Sequence, residues 1–156
     1  PLVRGAAPNV AFTVIVTGWN QLYGDPAYAL EEIWPRDVTI DVAGFDVYDE
    51  YGSVREDGSV VDESPDLGAD FLTPLADWAR REGVAWGLAE TGVTDESFAL
   101  HPGWIGASFE AVVARGGVAF SYFDSPLHTS ASYELDSPAK LFDFSRTLAH
   151  GVSLPR

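Results

Sequence analysis

Four stretches of the chain are almost continuously apolar and rich in β-branched or aromatic residues: 10–17, 38–48, 84–89 and 117–123. Uninterrupted apolar runs of this length suit strands of a parallel sheet covered on both faces. Between them the apolar positions change to helical spacing. The stretch 28–33 predicts a short helix. Over 70–82, Phe71, Leu75, Trp78 and Ala79 fall on one stripe that Gly83 ends. Over 103–115, Trp104, Phe109, Val112 and Val113 do the same, stopped by Gly116-Gly117. Ser137-Pro138 is a serine cap with proline at the first helical position, opening a helix through Leu141, Phe142, Phe144 and Leu148 to Gly151. Trp78 and Trp104 are assigned to the core, and Trp86 to packing within its strand.

Strand and helix alternate four times. That order predicts an α/β fold of parallel (β/α) units. Four units are half of a TIM-type (β/α)8 barrel, and 156 residues fall well short of the ~250 a full barrel takes. A doubly wound sheet is the competing architecture, but no glycine-rich phosphate loop follows the first strand. The chain starts at Pro1 and has no methionine, which leads us to expect a piece of a longer product. Residues 1–156 are expected to form one domain, the other half-barrel lying upstream or on a partner chain. The longest loop, 49–70, is acidic, and Glu56-Asp57-Gly58-Ser59 at its centre suggests a hairpin turn.

The net charge of −15 removes whole classes of partner. No basic stripe exists to displace counterions from nucleic acid, and anionic membranes or polyanionic substrates are equally disfavoured. No apolar run is long enough to span a bilayer. Neutral carbohydrate stays compatible. Cysteine is absent, excluding disulfides and thiolate metal sites. His101, His128 and His150 are dispersed without zinc spacing, and Asp57, Asp62, Glu63 and Asp66 lack the spacing of a calcium loop. No metal or other cofactor is expected. There is no nucleophile elbow for a serine hydrolase.

In parallel α/β barrels the loops at the carboxyl ends of the strands share one mouth. The strand ends here carry Trp19-Asn20, Asp46, Tyr48 and Asp49, Glu90, and Tyr122, Phe123 and Asp124. Aromatic faces and carboxylates are the parts a sugar site needs. Asp46 shares strand parity with Gly44 and Tyr48, so it points inward with them, either as a structural hydrogen-bonding group or as part of the site. Trp19 is read as a sugar platform or a lid over the core. Tyr122 and Phe123 face opposite ways; Tyr122 is taken as the one at the mouth.

The segments Val42-Ala-Gly-Phe-Asp-Val-Tyr48, Leu88-Ala-Glu-Thr-Gly92 and Val118-Ala-Phe-Ser-Tyr-Phe-Asp124 resemble strands six, seven and eight of clan A glycoside hydrolases, nearest to the β-mannanase-like family 26. The resemblance implies the C-terminal half of the barrel, with Glu90 as catalytic nucleophile and Tyr48 as its hydrogen-bonding partner. From their strand-end placement, Trp19 and Tyr122 are expected to contact a β-linked polysaccharide, and Asp46 to shape the site if it is not purely structural. The resemblance also implies an acid/base glutamate in an Asn-Glu pair at the end of strand four. No Asn-Glu pair occurs here, so the expectation is part of a retaining glycoside hydrolase, completed by an outside half-barrel. The rival expectation is a catalytically silent barrel, a carbohydrate-binding or scaffold module at a cell surface or in a virion. Either favours an extracellular or cell-surface place. An uncovered half-barrel would expose two sheet edges and its inner face, so a partner or an oligomer is expected to cover it.

Overall fold

The computed structural model describes residues 2–126 and 132–151; His128 lies outside them. In chain order the elements are α1 (Leu2–Ala6), β1 (Thr13–Thr17), α2 (Gly18–Tyr23), α3 (Leu30–Ile33), β2 (Val42–Asp49), α4 (Thr73–Glu82), β3 (Ala85–Val93), α5 (Asp95–Leu100), α6 (Trp104–Ala114), β4 (Phe120–Tyr122) and α7 (Pro138–His150). A 3-10 turn, Pro26–Tyr28, precedes α3, and a π-helical turn, Leu67–Leu72, runs into α4.

The four strands form one sheet in the order β1-β2-β3-β4, and every neighbouring pair is parallel. The order never reverses, so there is no switch point of a doubly wound sheet. Crossovers of one hand then put the connecting helices on one face. On that face Ala43, Phe45, Val47, Trp86 and Leu88 are buried in one core with Leu75, Trp78, Ile105 and Val112 of α4 and α6. The Phe45 ring meets Trp78 edge-on at 6.1 Å. Trp78, Trp86 and Trp104 are all buried, as their spacing predicted.

The opposite face is open. Ile15, in the middle of β1, is 56% exposed, an unusual state for a β-branched residue at the centre of a strand. Beside it the surface is built from small residues: a Cβ on Gly44 would come within 3.3 Å of the Ile15, Ala89 and Thr13 side chains. Helices outside and a bare, small-residue inner face are the two surfaces of a barrel wall.

The boundaries shift where side chains take over backbone groups. The strand expected over 10–17 starts at Thr13, because the Asp41 carboxylate captures the Phe12 N–H at 2.7 Å and is itself paired with Arg4. The same capture delays β2 to Val42. The helix expected over 70–82 begins with the π-helical turn, capped by Asp66 accepting from the Ala69 N–H. Helices α2 and α5 were not expected; six residues each are too few to display a periodic stripe. The serine cap of α7 forms as read, Ser137 accepting from the Lys140 N–H. The hairpin turn is present as well, with Val54 bridged antiparallel to Val60 and Gly58 at φ 83°.

Buried polar groups hold the rim of the sheet. Asp49, fully buried at the end of β2, accepts from Ser64 Oγ and Ser97 Oγ, each at 2.6 Å. It therefore joins the far end of the long acidic loop to α5. Asp143 of α7 accepts from the Ile105 and Gly106 N–H groups and so caps α6 from a neighbouring helix. Among the described residues no helix is long and apolar enough to cross a membrane.

Candidate active site

Simple alternation along β3 would bury Glu90 in the helical layer. Gly87 pairs with Gly44 on the inner face and Leu88 pairs with Phe45 on the outer one. Ala89 is then inner, which leaves the next residue outer. The register slips by one at this point: Ala89 has no partner, and Glu90 pairs with Asp46. This β-bulge returns Glu90 to the inner face beside Asp46, with Thr91 turned outward against Val47. Bulges re-aim a side chain in this way and are enriched near active sites. Glu90 is thus not the last residue of its strand. β3 continues through Thr91 and Gly92 to Val93, held by Thr91 Oγ1 donating to the Val47 carbonyl at 2.7 Å.

The Tyr48 hydroxyl meets Glu90 there, donating to Oε2 at 2.6 Å. Its pKa is pushed far above the ordinary phenol range, first by burial and then by the hydrogen bond to Glu90. Tyr48 is accordingly always a donor at working pH. Its ring lies over Gly92, where a Cβ would approach the Tyr48 and Tyr133 rings to about 3 Å; a side chain at 92 would displace both. Tyr133 packs on Tyr48 at 5.0 Å between centroids, and Phe123 meets it edge-on at 6.0 Å.

Asp46 completes the inner-face cluster. Burial, and secondarily the nearby charge of Glu90, raise its pKa to about 6, against a hydrogen bond from the Glu90 backbone N–H. Its Oδ1 is buried with no partner among the described residues. A proton on the carboxyl lowers the cost of burying that oxygen. Asp46 therefore changes charge beside Glu90 at about pH 6.

Tyr48 also borders a cleft of about 320 Å³ that includes Trp19, Glu50, Arg55, Asp62 and Asp70 in its walls. Trp19, on α2 directly after β1, is 57% exposed, which leaves an indole face available at the cleft. A larger groove of about 640 Å³ runs between the π-helical turn and α6, past Leu67, His101, Trp104 and Arg115. It contains neither Glu90 nor Tyr48, whereas the smaller cleft is bordered by Tyr48, the residue that holds Glu90.

Tyr122 does not reach the mouth. It pairs with Thr91 on the outer, helix-facing side, its ring lies against Phe144 of α7 at 5.8 Å, and its hydroxyl donates to the Tyr133 carbonyl. Phe123 takes the inner position instead. Alternation within β4 is regular, Phe120 pairing with the outward Leu88 and Tyr122 with the outward Thr91; what counting within β4 does not give is which of its two faces is the outer one. Tyr133 and Glu50 were also missed, since neither lies in a periodic segment. Among the described residues no group of three or more His, Asp or Glu side chains is placed to hold a metal ion.

No family model and no curated protein matches the chain. Among solved structures it is similar to a Cellulomonas fimi endo-β-1,4-mannanase double mutant, with 22% identity and a TM-score of 0.51. The chain is a half-barrel. The likeness covers 92% of this chain but only 31% of the mannanase chain, and at this identity it speaks for the fold alone. The half-barrel spans under a third of that neighbour's length.

Proposed function

We propose that the half-barrel is the nucleophile-bearing part of a retaining glycoside hydrolase acting on a β-linked polysaccharide of the β-1,4-mannan type. The observation that carries the proposal is the bulge at Ala89, which aims Glu90 at the Tyr48 hydroxyl on the open inner face. Tyr48 occupies Oε2 and leaves Oε1 to attack the anomeric carbon. A protonated carboxyl on the completing half-barrel gives its proton to the leaving oxygen, and the glycosyl–Glu90 ester forms as the glycosidic bond breaks. Water then attacks the anomeric carbon, giving its proton to that same outside carboxylate and releasing Glu90. Retention by this route needs the two carboxyl groups roughly 5 Å apart. Trp19 supplies an apolar face for a sugar ring, and Asp46 shapes the inner floor under Glu90.

The partners that go with this proposal are the polysaccharide and the other half-barrel, from the same polypeptide or a second chain, seated on the face where Ile15 is bare. The full-length polypeptide is expected to hydrolyse β-1,4-mannan with net retention. Proton NMR of the first products should show the β-anomer before mutarotation. An α-anomer as first product would overturn the nucleophilic role, because inversion leaves no place for a glycosyl ester.

A further inference from the structure

We propose that Lys140 is a positioning residue for the Tyr48–Glu90 pair, acting through Tyr133; its catalytic meaning rests on Glu90 being the nucleophile. Lys140 is the chain's only lysine and is fully buried. A lysine that gives up water needs a full set of acceptors. Lys140 finds them in the Asp95 carboxylate at 2.5 Å and the carbonyls of Ser132 at 3.1 Å and Glu134 at 3.5 Å.

Those carbonyls flank Tyr133, whose own carbonyl accepts from the Tyr122 hydroxyl at 2.9 Å. Three consecutive carbonyls are therefore gripped by side chains of α7 and β4. Leu135 adds a fourth tie, its N–H donating to Asp124. A loop segment fixed this densely has one orientation for its side chain. That side chain is the Tyr133 ring, 3% exposed, which covers the Tyr48 ring at 5.0 Å; its own pKa is raised by burial and then by the charge of Glu50.

The consequence for the site is desolvation. Tyr48 faces Glu90 and Asp46 on the inner side and Tyr133 on the other, and burial is the first cause of its raised pKa. If the grip on residues 132–134 fails, Tyr133 swings away, water reaches the Tyr48 hydroxyl, and the hydrogen bond that fixes Oε2 of Glu90 loosens. Lys140 thus works at two removes from Glu90, on a helix that packs against the outer face of the sheet through Phe144 and Tyr122.

Tyrosine labelled with 13C at Cζ reads the Tyr48 phenol directly by NMR in the full chain, the signal being assigned with Tyr48→Phe. In the wild type it should remain in the neutral form well above pH ~10, the ordinary phenol value. In Lys140→Met the midpoint should fall toward that value, by a unit or more. Tyr122→Phe, which keeps the ring on Phe144 and removes only one tie, should shift it in the same direction by less. If Lys140 serves only to hold α7, its loss will lower stability and leave the Tyr48 titration as in the wild type. A wild-type titration in Lys140→Met, or in Tyr122→Phe should Lys140→Met not fold, overturns the proposal. No substrate is involved, so failure of the nucleophile assignment and failure of the Lys140 assignment give separate results.

Discussion

Replacing Glu90 with glutamine is expected to lower turnover of β-1,4-mannan by the full-length polypeptide at least a thousandfold, on the order of what loss of a nucleophile costs other hydrolases. The fold should be untouched. Glutamine has nearly the shape of glutamate, and its amide oxygen still accepts from the Tyr48 hydroxyl, so the contact at 2.6 Å survives. What disappears is the charge and the nucleophilic oxygen. A second readout follows within the same variant. The charge of Glu90 is the second cause of the raised Asp46 pKa, after burial. Removing it should bring the Asp46 midpoint down from about 6, while burial still keeps it above the ordinary aspartate value of about 3.9. Carboxyl-carbon NMR measures that shift without substrate. Retained turnover in Glu90→Gln would remove the nucleophile from the proposal, whatever Asp46 does.

The second large effect concerns stability. Asp49→Ala is expected to destabilise the fold by about 3–5 kcal/mol, since it strands three donors at once. Ser64 and Ser97 lose their acceptor at 2.6 Å, and the Tyr51 N–H loses its contact at 3.2 Å. Ser97 has no access to solvent, so water cannot restore its bond without opening α5. Asp49→Asn should cost less, because the amide oxygen can replace one acceptor but its NH2 faces hydroxyls that must turn to receive it. Urea unfolding of both variants orders the costs. A loss below about 1 kcal/mol for the alanine variant would mean that the loop and α5 are held by other contacts. The same carboxyl ties residue 64, on the wall of the mouth cleft, to the strand that carries Tyr48. Looser packing there should also raise the protease sensitivity of the acidic loop.

The layout of the barrel wall was legible in the sequence because it rests on burial. Continuous apolar runs, helical stripes ending at Gly83 and at Gly116, and a serine–proline cap each depend on neighbours a few residues away. Asp46 and Tyr48 were placed on the inner face for the same reason: β2 runs regularly from Val42 to Asp49 and keeps its alternation. Glu90 shows where such counting stops working. The slip at Ala89 arises between two strands, and nothing in Leu88-Ala-Glu-Thr-Gly92 distinguishes a strand that ends at Glu90 from one that bulges and continues. Tyr122 faces outward with or without the slip, because it shares parity with Phe120, the partner of the outward Leu88; the sequence of β4 alone does not say which face is the outer one. Tyr133 belongs to the same class. It reaches the site because distant side chains hold three carbonyls, a constraint without any periodic trace.

The central claim is that Glu90, turned inward by the bulge and held by Tyr48, forms a covalent bond to sugar. A 2-deoxy-2-fluoro-β-mannosyl fluoride tests it most directly, because fluoride departs without a proton and the fluorine at C2 slows hydrolysis of the ester. After incubation with the full-length polypeptide, intact mass spectrometry should show the addition of one fluoromannosyl unit, and peptide mapping should place it on Glu90. An unmodified protein, or a label carried by Asp46 in place of Glu90, would contradict the assignment.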